Sequence, residues 1–188
     1  MVQASEVYID LNGRTLKGTG GTSALTTIGV LVNNQVDVTV QNGDIGDFGI
    51  AVYFAPGSTD TNAKNTASNL RLNGDLVGVF SLSGTSNWVK DSIIEGGSVG
   101  IWFDQNSDSR AQNNILELQE PTEALNCAVA LWSVSSGGVV FDNNVVEKGG
   151  GPFGMVMSGT DKYRFDSFVG FPNNSPHAGG TDEGAGSL

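Results

Sequence analysis

The sequence predicts an all-β solenoid, a short rod of about six to seven coils occupying residues 1–171. Three observations predict it. Short runs rich in Val, Ile and Phe recur along the chain, separated by Asn-Gly, Gly-Gly and Ser-Gly pairs, which is the punctuation of strands and turns. No window carries apolar residues at i, i+3, i+4 and i+7 for three turns without interruption by Gly or Asn, so helices are not expected. A small residue followed by alternating apolar positions returns as Gly29, Gly49, Gly78, Gly100, Ala128 and Gly154, at gaps of 20, 29, 22, 28 and 26 residues. A period in the twenties marks units that bury their apolar faces only against their neighbours.

The strands follow in order from these marks. One strand per repeat starts at the small residue, as in Gly49-Ile50-Ala51-Val52-Tyr53, Gly100-Ile101-Trp102-Phe103 and Ala128-Val129-Ala130-Leu131-Trp132. A second precedes it: Asn42-Gly43-Asp44-Ile45, Asn73-Gly74-Asp75-Leu76, Asp91-Ser92-Ile93-Ile94-Glu95, Asn114-Ile115-Leu116-Glu117 and Asn143-Asn144-Val145-Val146-Glu147. Asn at the strand start suits a turn, because its side chain bonds nearby backbone and tolerates the left-handed conformation. An antiparallel sandwich is the competing architecture. The scarcity of two-residue hairpin turns between matched strands stands against it. Coils ~4.8 Å apart make a rod of roughly 30 Å whose two ends expose sheet edges. The segment 172–188 is rich in Gly, Asn and polar residues and reads as a flexible tail.

These repeats resemble the right-handed parallel β-helix proteins, the pectate-lyase-like superfamily and its relatives with short β-helix repeats. The opening Ile9-Asp10-Leu11-Asn12-Gly13-Arg14-Thr15-Leu16-Lys17-Gly18 is similar to the first-coil signature of that group. The resemblance covers about residues 7 to 171. It implies the fold far more narrowly than the function, because the group holds lyases, hydrolases, epimerases, phage tailspikes, adhesins and inert stalks.

Composition removes several mechanisms. The chain has one His, His177, in the polar tail, so a Ser-His-Asp or Cys-His apparatus lacks a base. A single Cys, Cys127, forms neither a zinc cluster nor an internal disulfide, and its place before an apolar run reads as inert packing. A net charge of −11 argues against nucleic-acid partners, whose affinity rests on phosphate neutralisation. No apolar run approaches the ~20 residues that span a bilayer, so no membrane partner is expected. The start, Met1 to Glu6, has neither a basic nor an apolar leader region. A lone Cys fits a reducing cytosol or a bacterial exterior, and among compartments the extracellular or cell-surface one suits the resemblance best.

Strand alternation then sorts candidate residues. With Ile50, Val79, Ile101, Val129 and Met155 inward, Ala51, Phe80, Trp102, Ala130 and Val156 face outward, joined by Tyr53, Asp104 and Trp132. Tyr53, Phe80, Trp102 and Trp132 would line one external face suited to packing against an oligo- or polysaccharide, with Asp104 and Glu117 bonding hydroxyls. The alternatives to a ligand groove are that the segment Pro56 to Asn69 or the loop Gln119 to Asn126 folds over this face, or that a partner chain covers it, so a homo-oligomer through aromatic-face or end contacts is a further reading.

Glu95, Glu117 and Glu147 form a second outward column, with adjacent backbones ~4.8 Å and alternate ones ~9.6 Å apart. Those spacings bracket the carboxyl separations of retaining and inverting glycosidases. Asp104, Asn106 and Asp108 begin like a calcium loop, but Ser109 replaces the turn Gly and Ile115 the bidentate Glu. No cofactor is required by this reading, and calcium is the ion such oxygens would take. The resemblance implies a lyase with an Arg or Lys base, for which Lys90, Arg110 and Arg71 are the nearest candidates. The paired-Asp motifs of polygalacturonase-like hydrolases and the Asp-Pro-His motif of the epimerases are missing. The favoured reading is a carbohydrate-recognising module. A polysaccharide-degrading enzyme and a purely structural rod are its alternatives.

Overall fold

The computed structural model describes residues 1–20, 25–55, 63–117, 129–147, 153–164, 166–169 and 181–182. Every pairing between its strands is parallel, and the strands fall into two sheets. One sheet stacks Ile28–Asn33, Ile50–Ala55, Val77–Leu82, Val99–Asp104, Val129–Val134 and Phe153–Val156 in chain order. These six strands enclose five turns rather than the six to seven expected. The difference lies at the ends, where Tyr8–Asp10, Thr15–Lys17, Lys162–Arg164 and Ser167–Val169 add only to the second sheet.

The second sheet is bent along its length. Thr39–Gly46 and Thr66–Asn73 run through the bend as single strands, whereas later coils break there into Trp88–Lys90 and Ile93–Glu95, Arg110–Gln112 and Ile115–Glu117, Val140–Asp142 and Val145–Glu147. The bend is a column of left-handed residues, Asn42, Asn69, Asp91, Asn113 and Asn143, with φ between 49° and 60°. Short polar side chains are the non-glycine residues that tolerate this conformation. The bend separates two outer faces of the same sheet. Of the segment expected to be a tail, Thr181–Asp182 pair with Lys162–Tyr163.

Inside, Val40, Ile45, Val52, Phe54, Ile94, Phe103, Leu116, Phe141 and Val146 are at most 1% exposed and form one continuous core. Each coil contributes one layer, as expected of a solenoid. The corners are closed by polar side chains of the next coil. Asn65 Oδ1 accepts the Val38 N–H at 3.0 Å, Asn87 Oδ1 the Asn65 N–H at 2.9 Å, and Ser109 Oγ the Asn87 N–H at 3.1 Å. Buried backbone donors are thereby satisfied without water.

The structure changes the phase of the repeat. Pairing Ile50 with Val77 and Val129 with Val99 places Ala51, Gly78, Gly100 and Ala130 in one column, two residues past Gly49 and Ala128 in their coils. At this column two consecutive residues turn inward: Ala51 and Val52 are both fully buried in the core. The expected inward Ile50 and Val129, which share one column with Val77 and Val99, and the expected outward Ala51 and Ala130 are therefore corrected. Ala51 and Ala130 belong to the core, while Ile50 packs with Val77, Val99 and the aromatic column outside it. Close packing demands a small residue here. A Cβ at Gly78 would lie 2.7 Å from the Gly100 carbonyl oxygen and 2.7 Å from Ile94 Cγ2, and one at Gly100 would lie 2.5 Å from Leu116 Cδ2.

Candidate functional site

The expected aromatic column exists, in a different posture. Tyr53, Phe80, Trp102 and Trp132 are in register on successive strands. Their rings stack on one another at centroid distances of 4.9, 4.6 and 4.6 Å, with interplanar angles of 7°, 30° and 12°. Leu31 and Val156 occupy the same column at its two ends. Rings stacked along the rod cover one another's faces and show solvent their edges. A sugar's C–H face packs against a ring face, and this stack has spent its faces internally. All four side chains are half-buried, and Trp102 Nε1 is buried without a hydrogen-bond partner. Burial also raises the Tyr53 hydroxyl above its ordinary pKa. The column is an external buttress for Ile50, Val77 and Val99. Of the segments expected as its alternative cover, Pro56 to Asn69 is corrected where it is described, because 66–69 open the Thr66–Asn73 strand of the second sheet, while residues 56–62 and 119–126 lie outside the described residues, as do Cys127 and His177.

Asp104 shares the next outward column with Leu82 and Val134. Asn106 does not join it at the surface. It is 2% exposed, its Oδ1 accepts from the Ser81 and Ser109 hydroxyls at 2.8 and 3.2 Å, and its Nδ2 donates to the Ser81 and Asp104 carbonyls. The expected oxygen shell of Asp104, Asn106 and Asp108 is thus corrected at Asn106, whose amide is held inside as a corner plug. Among the described residues no group of three His, Cys, Asp or Glu side chains is placed to hold a metal ion.

Glu95, Glu117 and Glu147 are in register on one outer face of the bent sheet. Glu95 bonds Arg71 Nε at 2.8 Å, so Arg71 is engaged in an ion pair. Glu117 and Glu147 are exposed. A general acid works best from a desolvated pocket, and an open sheet face is not one.

The other outer face carries a group of residues that the sequence reading did not assemble. Trp88 stands between Thr66 of the preceding coil and Arg110 of the next. The residue is 37% exposed, and its ring lies 5.4 Å from Lys90 Nζ and 5.9 Å from Arg110 Cζ. Cations at these distances are drawn to the ring's negative face. Arg110 is further anchored by Asp142 at 3.1 Å, and Asp142, 5% exposed, also receives Arg164 at 3.0 Å. A guanidinium bound in this way is a poor general base, which removes Arg110 from the lyase role.

Trp88 walls an open depression of about 460 Å³ with Lys64, Thr66, Ser86 and Asp108. Lys64, Ser86 and Asp108 have left-handed backbones, φ 49°, 58° and 50°, at a corner of successive coils. Lys64, Lys90, Arg110, Lys162 and Arg164 all come from this side of the molecule, out of nine basic residues in a chain of net charge −11. The signal was present in Trp88-Val89-Lys90, whose alternation turns Trp88 and Lys90 outward around a buried Val89. Only the register adds Arg110.

Among the described residues no helix is long and apolar enough to cross a membrane. No curated protein and no solved structure matches the chain. The family model described as right handed beta helix region matches residues 28–170. That span contains the stacked coils of both sheets, and the chain therefore belongs to the right-handed β-helix family.

Proposed function

We propose that this chain is a glycan-binding module that seats an acidic saccharide on the open side of Trp88. The family fold supports a carbohydrate-related or a structural role. The observation that favours the first is an exposed indole beside a depression of hydroxyl, carboxylate and ammonium groups. Arg110 occupies the side of Trp88 toward the next coil, while the small Thr66 leaves the preceding side open. A pyranose ring stacks on that side, with Thr66, Ser86 and Asp108 bonding its hydroxyls. Lys64 and Lys90 supply the charge for a carboxylate or sulfate, against the field of an otherwise acidic molecule.

Isothermal titration with neutral, uronic and sulfated oligosaccharides tests this. Trp88→Ala is expected to weaken binding of the preferred acidic glycan at least tenfold, or by about 1.4 kcal/mol, with the fold intact. Trp102→Ala is the contrasting variant. It removes two ring contacts from the buttress and is expected to cost about 3 kcal/mol of stability while leaving affinity unchanged. Loss of binding with Trp102→Ala but not with Trp88→Ala would return the site to the stacked column. No affinity for any of these glycans would leave the structural role.

A further inference from the structure

We infer that the second outer face of the bent sheet, independent of the Trp88 site, docks a cationic amphipathic helix of a partner protein laid along the rod. Ile93, Ile115 and Val145 are in register there, and beside them run Glu95, Glu117 and Glu147. Ile93 and Ile115 are 41% and 43% exposed. Their exposure is not a by-product of filling the core, because Ile94, Leu116 and Val146 between the two columns point inward and are fully buried or nearly so. A contiguous apolar strip beside a charged one marks an interaction surface.

Spacing selects the occupant. Side chains on the strip repeat every ~4.8 Å, the distance between hydrogen-bonded strands. Along a helix, residues three and four apart advance about 4.5 and 6 Å and share a face. An extended strand laid in the same direction repeats its side chains every ~6.8 Å and falls out of step within two coils. Charge selects the helix's flank. Among the described residues Glu117 and Glu147 form no ion pair, whereas Glu95 holds Arg71. Lys or Arg beside the helix's apolar stripe would neutralise the stacked carboxylates. A second copy of this chain suits the face poorly, because two chains of net charge −11 repel. The left-handed column Asp91, Asn113 and Asn143 separates this face from the Trp88 side.

The test uses the intact chain and two labelled, end-capped 18-residue Leu/Lys peptides of identical composition, one amphipathic as a helix and one scrambled, with affinity read by fluorescence anisotropy. The amphipathic peptide is expected to bind at least tenfold more tightly. Ile115→Asn and Glu117→Gln, both at exposed positions, are each expected to lose most of that difference, and Trp88→Ala none of it. Circular dichroism melting verifies that both variants stay folded, and Ile93→Asn serves as the second apolar variant. Equal affinity for the two peptides, indifference to Ile115→Asn and Ile93→Asn, or no binding would each overturn the proposal. Failure of the glycan titration would leave this result untouched, and the reverse holds.

Discussion

Asn144→Ala is expected to lower the unfolding free energy by about 4 kcal/mol, a large part of the ~5–15 kcal/mol that holds a domain folded. Asn144 is fully buried. Its Oδ1 accepts the Asn114 backbone N–H at 3.1 Å and Asn114 Nδ2 at 2.9 Å, while its Nδ2 donates to the Ala111 carbonyl at 3.1 Å and to Asp166 Oδ1 at 2.9 Å. It is one rung of a ladder. Ser92 Oγ receives the Leu70 N–H, Asn114 Oδ1 the Ser92 N–H, and Asp166 Oδ1 the Asn144 N–H. Alanine strands the Asn114 N–H away from water at ~1–3 kcal/mol, removes the bonds to Asn114 Nδ2, the Ala111 carbonyl and Asp166, and leaves a cavity besides. Asn143, its neighbour, also bonds side chain to side chain between coils, at 2.8 Å to Asn113, but at the exposed bend. Asn143→Ala is expected to cost about 1 kcal/mol, mostly for its left-handed backbone. Urea unfolding of the two variants compares them, and equal losses would mean that burial is not what makes the ladder count.

Melting temperature is expected to rise as the pH falls from 8 to about 5. Burial pushes the Asp75 and Asp166 carboxyls up to about 7 from 3.8, helped by nearby Asp47 and Asp142 respectively. Each accepts at least one backbone N–H on Oδ1, from Phe48 and Asn144, and each has a buried Oδ2 without a partner. At pH 8 both groups are ionised whether the chain is folded or not. Below about 7 the folded chain takes up the protons and the unfolded chain does not until about 3.8, so stability climbs between these values. A carboxyl moved that far contributes on the order of 4 kcal/mol at full effect. Asp75→Asn and Asp166→Asn keep a side-chain oxygen for the backbone donor and remove the charge. Together they are expected to flatten the rise between pH 8 and 5. A double variant with the unaltered slope would place the titrating groups elsewhere.

The fold was legible because a solenoid repeats its physics in each coil. Alternation has a period of two, so the two-residue phase slip at Gly49 and Ala128 still left Tyr53 and Trp132 outward, and Glu95, Glu117 and Glu147 reached a common column. Alternation failed where it has no authority. At the corner before Val52, two successive residues face the core; the column takes Ala at Ala51 and Ala130, but only Gly fits beside Ile45, Ile94 and Leu116, where an added Cβ would come within 3.0 Å. Asn106 was misread for a related reason: a polar residue in a turn can face water or plug the coil, and the hydroxyls of Ser81 and Ser109 decide which.

The all-β class, the parallel stacking and the columns of Tyr53, Phe80, Trp102 and Trp132 and of Glu95, Glu117 and Glu147 were determined by the sequence itself, through hydrophobic period, turn chemistry and repeat length. Ring posture, by contrast, belongs to the tertiary structure. Whether Trp102 offers its face to a ligand or spends it on Phe80 and Trp132 depends on side-chain torsions set by packing. Likewise, Trp88 and Arg110 are 22 residues apart and meet only because one turn of the coil closes at that length. Columns follow from local periodicity. Sites depend on which side chains the closed coil sets beside one another and which faces it leaves open to water.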